Sequence, residues 1–292
     1  MRNLDLDSLQ IFKAVVDYGS ITNAAAQLNR VQSNITTRVK NLEERLGVAL
    51  FHRQGGKLIP SDEGRLLHQY AEKLLRLSVE AETALKRGTL QGALRIGTLE
   101  STAAARLPPL LSSYHERFPD VQIELISGST DSLIAQVHRG QIEAAFVSDP
   151  FTAAGLESQE VFIEELALIV AKNSPIVTAR ALQGSTIIAF AKGCSFRRIL
   201  ESWLDTCEIV PTRVLELASY HAISACVAAG TGVAIMPQSV LKAVQVESLV
   251  RALPLPPKVA RVRTHLVWRC GHESRALQSI REEVTRHRWA TS

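Results

Sequence analysis

The sequence predicts an α/β body preceded by a small all-α head and one long helix, and three observations carry that prediction. From Ala93 onward, short apolar runs alternate with helical stretches, the pattern of a mostly parallel sheet covered on both faces. Before that, Ser61 to Arg87 contains no proline and no glycine beyond Gly64, and holds an apolar seam close to a 3.5-residue period. Residues 1–60 place apolar positions at helical spacing and close with two short extended runs around Gly55-Gly56. With 292 residues, 46% of them apolar and 21% charged, the chain has ordinary globular composition and room for two or three domains.

In the head, Asp5 can cap a first helix running to about Asp17, with Leu6, Leu9, Phe12, Val15 and Val16 on one apolar face and Gly19 ending it. A second helix starts at Thr22 as N-cap, and its Ala24, Ala25 and Ala26 are small enough for another helix to cross closely. In the third, Ile35, Val39, Leu42 and Leu46 recur at i, i+4, i+7, i+11 as one buried stripe, up to a C-terminal cap at Gly47. Gln32, Ser33, Thr36, Thr37 and Lys40 fall on the opposite side. Short and amide-bearing side chains at a helix N-terminus suit base edges in a major groove, where the helix dipole also favours phosphate. Leu50 to Ile59 then forms a small wing, with Arg53 and Lys57 flanking its tip, in reach of sugar-phosphate or the minor groove. Residues 1–60 hold eight Lys/Arg against five Asp/Glu, so three of the net four positive charges lie in this head.

The run from Ser20 to Arg53 resembles the winged helix-turn-helix of LysR-type transcriptional regulators. The likeness rests on Phe12, Ser20, Ala24-Ala25, Leu28, Gln32, Arg38, Leu42-Glu43, Leu46-Gly47 and Leu50-Phe51, at the family's spacings without a gap, and continues loosely over the whole chain. Val31 departs from a usual serine and removes a cap from the reading helix; Thr36 replaces a second serine and keeps a hydroxyl. The resemblance implies three parts: a winged helix-turn-helix DNA-binding domain over 1–60, a linker and dimerisation helix over 61–88, and an effector-binding domain over 89–292. That last part would consist of two Rossmann-like lobes, similar to periplasmic binding proteins. It also implies double-stranded DNA as partner, a homodimer or a dimer of dimers, a small organic or amino acid as effector, and RNA polymerase as a further possible partner. With Thr22 and Arg38 added, the candidate DNA contacts are Thr22, Gln32, Ser33, Thr36, Thr37, Arg38, Lys40, Arg53 and Lys57.

The long helix supports a pairing role on its own terms. A rod of roughly 40 Å is too long for a 60-residue head to cover its stripe of Leu67, Tyr70, Ala71, Leu74, Leu77, Ser78, Ala81 and Leu85. Residues 88–92 then read as a hinge. Beyond it, strands are predicted at 93–97, 121–126, 144–147, 167–170, 186–190, 214–217, 233–236 and 265–268. Helices are predicted at 102–117, bent by Pro108-Pro109, and at 132–138, 197–204, 222–229 and 275–288, the last returning to the first half.

In open α/β sheets ligands lie beyond the carboxyl ends of the strands, near helix N-termini. The candidate effector contacts are therefore Leu99, Glu100, Ser101 and Thr102 after the first strand, Ser127 and Ser129 after the second, Ser148 after the third, and Cys194, Ser195 and Arg197 in the second half. Hydroxyls, N–H groups and a cation predict a small anion, a carboxylate held by Ser101, Thr102 and Ser195; Glu100 opposes this unless it turns away or pairs with a ligand amine. The alternative is a redox sensor at Cys194, where a helix N-terminus beside Lys192 and Arg197 would lower the thiol pKa. No catalytic set emerges, since Cys194 and His221 lack a third orienting residue, so no enzyme is expected. Cys194, Cys207, Cys226 and Cys270 include no CxxC pair, so no metal site or cofactor is expected either. MRNLDLDSLQ has acids where a secretory signal has its apolar core, and no run reaches membrane-spanning length, which points to a cytoplasmic protein without a membrane partner. A solute-binding transport protein would need export, and a purely architectural DNA-binding protein would leave the α/β body without a role.

Overall fold

The computed structural model describes residues 4–54, 57–85 and 91–289. They fall into two compact units, 1–88 and 89–292.

The first unit opens with α1 (Leu6–Tyr18), capped by Asp5 and ended by Gly19 in the left-handed region. The second helix, α2 (Ile21–Gln27), is capped not by Thr22 but by Ser20, whose Oγ accepts the Asn23 N–H at 3.1 Å. Thr22 sits inside the first turn, two positions too late to cap. Next comes α3 (Gln32–Leu46), whose N-cap Val31 makes no side-chain bond. Ile35, Val39 and Leu42 are buried against α1 and α2, where Ala24 and Ala25 allow the close crossing. The wing strands β1 (Phe51–Gln54) and β2 (Lys57–Pro60) pair antiparallel, and the Gly55-Gly56 turn lies outside the described residues.

The long helix α4 (Asp62–Leu85) starts on the buried Ser61, whose Oγ donates to the Ala49 carbonyl at 2.7 Å and accepts the Gly64 N–H at 2.9 Å. Gly64 is required: a Cβ there would stand 2.1 Å from the Leu50 carbonyl oxygen. One face of α4 packs Ala71, Leu67 and Leu75 against Leu9, Phe12, Leu42 and Leu50. Leu66, Tyr70, Leu74 and Leu77 on another stripe are exposed.

The second unit begins with β3 (Gly92–Thr98). The helix predicted at 102–117 is two helices, α5 (Glu100–Ala105) and α6 (Leu107–Arg117), broken at Arg106 with prolines in the first turn of α6. Then follow β4 (Val121–Ser127), α7 (Thr130–His138), β5 (Ala144–Ser148) and the 16-residue β6 (Leu156–Ala171). The second lobe holds β7 (Thr186–Ala189), α8 (Ser195–Thr206), β8 (Arg213–Glu216), α9 (Tyr220–Ala228), β9 (Ala234–Pro237), α10 (Gln238–Ala243) and β10 (Val250–Pro254). A short α11 (Pro257–Ala260) leads the chain back through β11 (Arg261–Arg269) to α12 (Arg275–Arg286).

The sheet is mixed rather than mostly parallel. In the first lobe β3 is parallel to β4 and β5, whereas β11 runs antiparallel to β5 and β6. From Leu156 to Glu165, β6 pairs with β11; from Leu166 onward it pairs antiparallel with β9 and β10 of the second lobe. One strand thus serves both lobes, and β11 provides the return. The spacing predicts only 167–170 here, because 157–165 carries four glutamates that read as loop. Where β6 changes partners, buried Glu164 accepts from Arg106 Nε at 2.7 Å and from Ser239 Oγ at 2.8 Å, tying α5–α6 to α10. Each lobe has a core on either side of its sheet, built around Phe146 and Leu133 in the first lobe and around Leu200 and Met236 in the second.

Candidate DNA-reading face and inter-lobe cleft

On α3 the candidate reading residues Gln32, Ser33, Thr36, Thr37, Arg38 and Lys40 are all exposed, and Thr22 on α2 is exposed too. The same turn spacing that buries Ile35 and Val39 leaves them on the solvent side. Three of these groups already have intramolecular partners. Thr36 Oγ1 donates to the Gln32 carbonyl at 2.9 Å, Arg38 pairs with Asp7 at 3.5 Å, and Lys40 with Glu44 at 3.6 Å. Asp7 also takes Arg30 at 2.6 Å, a bond that, ahead of the opposing effect of burial, holds its carboxyl below the ordinary value. Arg53 and Lys57 lie in the two wing strands, and their side chains are outside the described residues.

In the second unit, the loops after β3, β4, β7 and β8 enclose a cleft of about 520 Å³ between the lobes. Leu99, Glu100, Ser101, Ser127, Ser129, Cys194 and Ser195 line it, seven of the ten effector candidates. Three do not. Thr102, next to the lining Ser101, is buried away from the cleft wall; the Ser148 hydroxyl meets Thr264 Oγ1 at 2.9 Å; and Arg197 is buried, donating to Glu201 at 2.7 Å, to Glu216 at 2.5 Å and to the Phe190 carbonyl. Ser195 lines the cleft, but its hydroxyl donates to the Ser148 carbonyl at 2.8 Å and meets Thr130 Oγ1 at 2.8 Å. Next to it Arg198 reaches Asp131 at 2.9 Å and the Pro150 carbonyl at 2.7 Å. These bonds join α8 of one lobe to α7 and the end of β5 in the other. Gly193, at φ +94°, brings the loops together closely enough that a Cβ would sit 3.0 Å from Ser129 Oγ.

The set of donors predicted for a carboxylate is therefore dispersed, with Thr102 behind the wall and Ser195 and Arg197 engaged elsewhere. Sequence reasoning also missed part of the lining: Phe190, Glu216, Leu217, Ala218 and Tyr220. The loop after the strand predicted at 214–217 meets the same strand-end criterion and would have supplied two of them, Ala218 and Tyr220.

Three groups in the cleft have raised pKa values. Burial raises the Glu100 carboxyl, against the lowering effects of the Tyr220 N–H and of His221. Burial also raises the Cys194 thiol, outweighing the Arg197 and Phe196 N–H groups at the helix start, so the lowered thiol predicted for a redox site is reversed. A thiol held protonated is a weak nucleophile, which disfavours that alternative. Tyr220, fully buried between them, is pushed far above its ordinary value and stays a neutral phenol.

A model for the bacterial regulatory helix-turn-helix protein of the lysR family matches residues 6–65, and one for the LysR substrate binding domain matches residues 87–289. YusT of Bacillus subtilis, an HTH-type transcriptional regulator, is 36% identical over 267 residues, 91% of this chain and 90% of that protein. Full-length OxyR from Pseudomonas aeruginosa, solved with a cysteine-to-aspartate substitution, has a similar fold at TM-score 0.73 and 20% identity, covering 98% of this chain and 96% of its own. Full-length CbnR, solved with its target DNA, also reaches TM-score 0.73 at 23% identity, over 97% and 99% of the two chains. Among the described residues no helix is long and apolar enough to cross a membrane.

Proposed function

This chain belongs to the LysR family of helix-turn-helix transcription regulators, and on that premise we propose how it reads DNA and where it takes its signal. The N-terminal face of α3 enters a major groove, with Gln32, Ser33 and Thr37 toward base edges. Thr22, Thr36, Arg38 and Lys40 lie beside them, toward phosphate. Arg53 and Lys57 extend contact along the backbone from the wing. The observation that carries this reading is the division of α3: Ile35, Val39 and Leu42 wholly or nearly buried, and every polar residue of its first two turns exposed.

Pairing of two chains through the exposed stripe of α4 places two such faces on one duplex, and a small organic molecule in the inter-lobe cleft is the signal. Ligand that binds one separation of the lobes better than another shifts their equilibrium, and the crossover at β6 is where that shift arises. Selection of duplexes from a random pool by the full-length chain tests the DNA reading. Enriched sites should carry two related half-sites in inverted orientation, about one or more helical turns apart; enrichment of single, unpaired sites, or none, contradicts it.

A further inference from the structure

We propose that the ligand of the inter-lobe cleft carries a protonated amine that docks on the Glu100 carboxylate, with its carbon body between Leu99, Phe190, Phe196 and Leu217. The inference rests on the reading of the cleft as the effector site, and it replaces the anion that the hydroxyls of the sequence suggest.

Glu100 Oε2 is closed to solvent and has no hydrogen-bond partner, while Oε1 receives only the Tyr220 N–H, at 3.4 Å. Among the described residues no Lys, Arg or His stands within ion-pair distance of it, although most of the acids around the cleft do have such a partner: Glu216 is paired with Arg197 at 2.5 Å and Asp131 with Arg198 at 2.9 Å. A carboxylate withdrawn from water without a partner is costly, and a ligand ammonium in hydrogen-bond reach offsets that cost by a charge-assisted bond. The positive groups that an anion would need are for the most part engaged. Arg197 is held by Glu201 and Glu216, Arg198 by Asp131 and the Pro150 carbonyl, and the unpartnered Arg198 Nε belongs to a residue that does not line the cleft. The Ser195 hydroxyl is held by Ser148 and Thr130, and among the described residues Lys192 is the sole cationic residue lining the cleft, against two glutamates. The cleft wall that holds Glu100 is largely apolar, with Leu99, Phe190, Phe196, Leu217 and Tyr220 among its lining residues beside the serines. That combination recognises an amphipathic amine or an amino acid with an apolar side chain. The two share the ammonium and differ in the carboxylate, for which Lys192 is the available partner.

Calorimetry on the full-length chain with two matched sets of probes separates these sources: isopentylamine, leucine and isocaproate, then phenethylamine, phenylalanine and hydrocinnamate. The ammonium-bearing members of a set should bind at least about 10-fold more tightly than the deaminated acid. Glu100→Gln, nearly isosteric and uncharged, should erase that preference without lowering the melting temperature of the free protein. Glu100→Asp, which keeps the charge, should retain it in weakened form. Amine binding without amino-acid binding assigns the simple amine; the reverse assigns the amino acid, with Lys192→Ala then reducing its affinity. Tighter binding of the acids, or a preference for amines that survives in Glu100→Gln, overturns the inference while leaving the cleft as the ligand site. If no probe binds, both the inference and the cleft reading beneath it fail.

Discussion

Asp5 accepts the Ser8 N–H at 2.8 Å, the largest of the influences that bring its carboxyl from 3.8 to about 2; burial, the next largest, opposes it, and Ser8 Oγ and Arg45 add to the lowering. The folded value is below the unfolded one, so this carboxylate stabilises the head above about pH 4 and ceases to do so as pH falls through 2. Because the side chain is partly exposed, its worth is that of an ordinary N-cap. Asp5→Ala should cost about 1 kcal/mol at neutral pH in urea titrations, and the gap to wild type should close toward pH 2; a gap that stays constant with pH contradicts the role. Glu164 is the opposite kind of residue. Replacing it by Gln leaves the buried Arg106 guanidinium without its carboxylate and should cost about 3 kcal/mol or more; a loss under about 1 kcal/mol would mean the ion pair does not hold the crossover. Asp5 was legible as a cap because its partner is three residues away. Glu164 was not, since its partner lies 58 residues away and the Glu164-Glu165 pair looks locally like a solvated surface.

Helices that pack by a single periodic stripe could be read directly, and α1, α3 and α12 fall within a few residues of their predicted spans. Elements whose partners are distant in sequence could not. β6 buries Phe162, Glu164 and Leu166 at alternate positions and leaves Ile163 and Glu165 exposed, a face set by pairing with β11 about a hundred residues away, and β10, α10 and α11 escaped because their partners are likewise distant. α4 is legible but incomplete, since Leu66, Tyr70 and Leu77 are more than half exposed and Leu74 is 37% exposed in the single chain. An exposed apolar stripe of this length supports the proposed pairing through α4. Leu74→Arg, which would bury an unpaired cation in that interface, should convert the pairing chain to a monomer by light scattering at low micromolar concentration, with the second unit's melting unchanged. An unchanged mass would exclude α4 as the pairing surface.

At the scale of the molecule, the two units divide the work by chemistry. The first exposes short polar side chains on a rigid helix; the second joins two cored lobes by a shared strand around a cleft. The strand-end rule puts seven of the ten candidates on the cleft wall, whereas the loop after β8 was missed and the partners of Arg197, Ser195 and Ser148 required the fold. We propose that α3 reads base sequence, with Gln32 at its exposed N-terminus in contact with a base edge. The most direct test compares wild type and Gln32→Ala on a selected operator duplex and on a scrambled duplex of the same composition, across a salt series. If Gln32 contacts a base edge, the variant loses about 1 to 3 kcal/mol on the operator, little on the scrambled duplex, and keeps the wild-type salt slope. Equal losses on both duplexes would contradict the account, because they would make Gln32 a backbone contact and leave α3 without a demonstrated reading face.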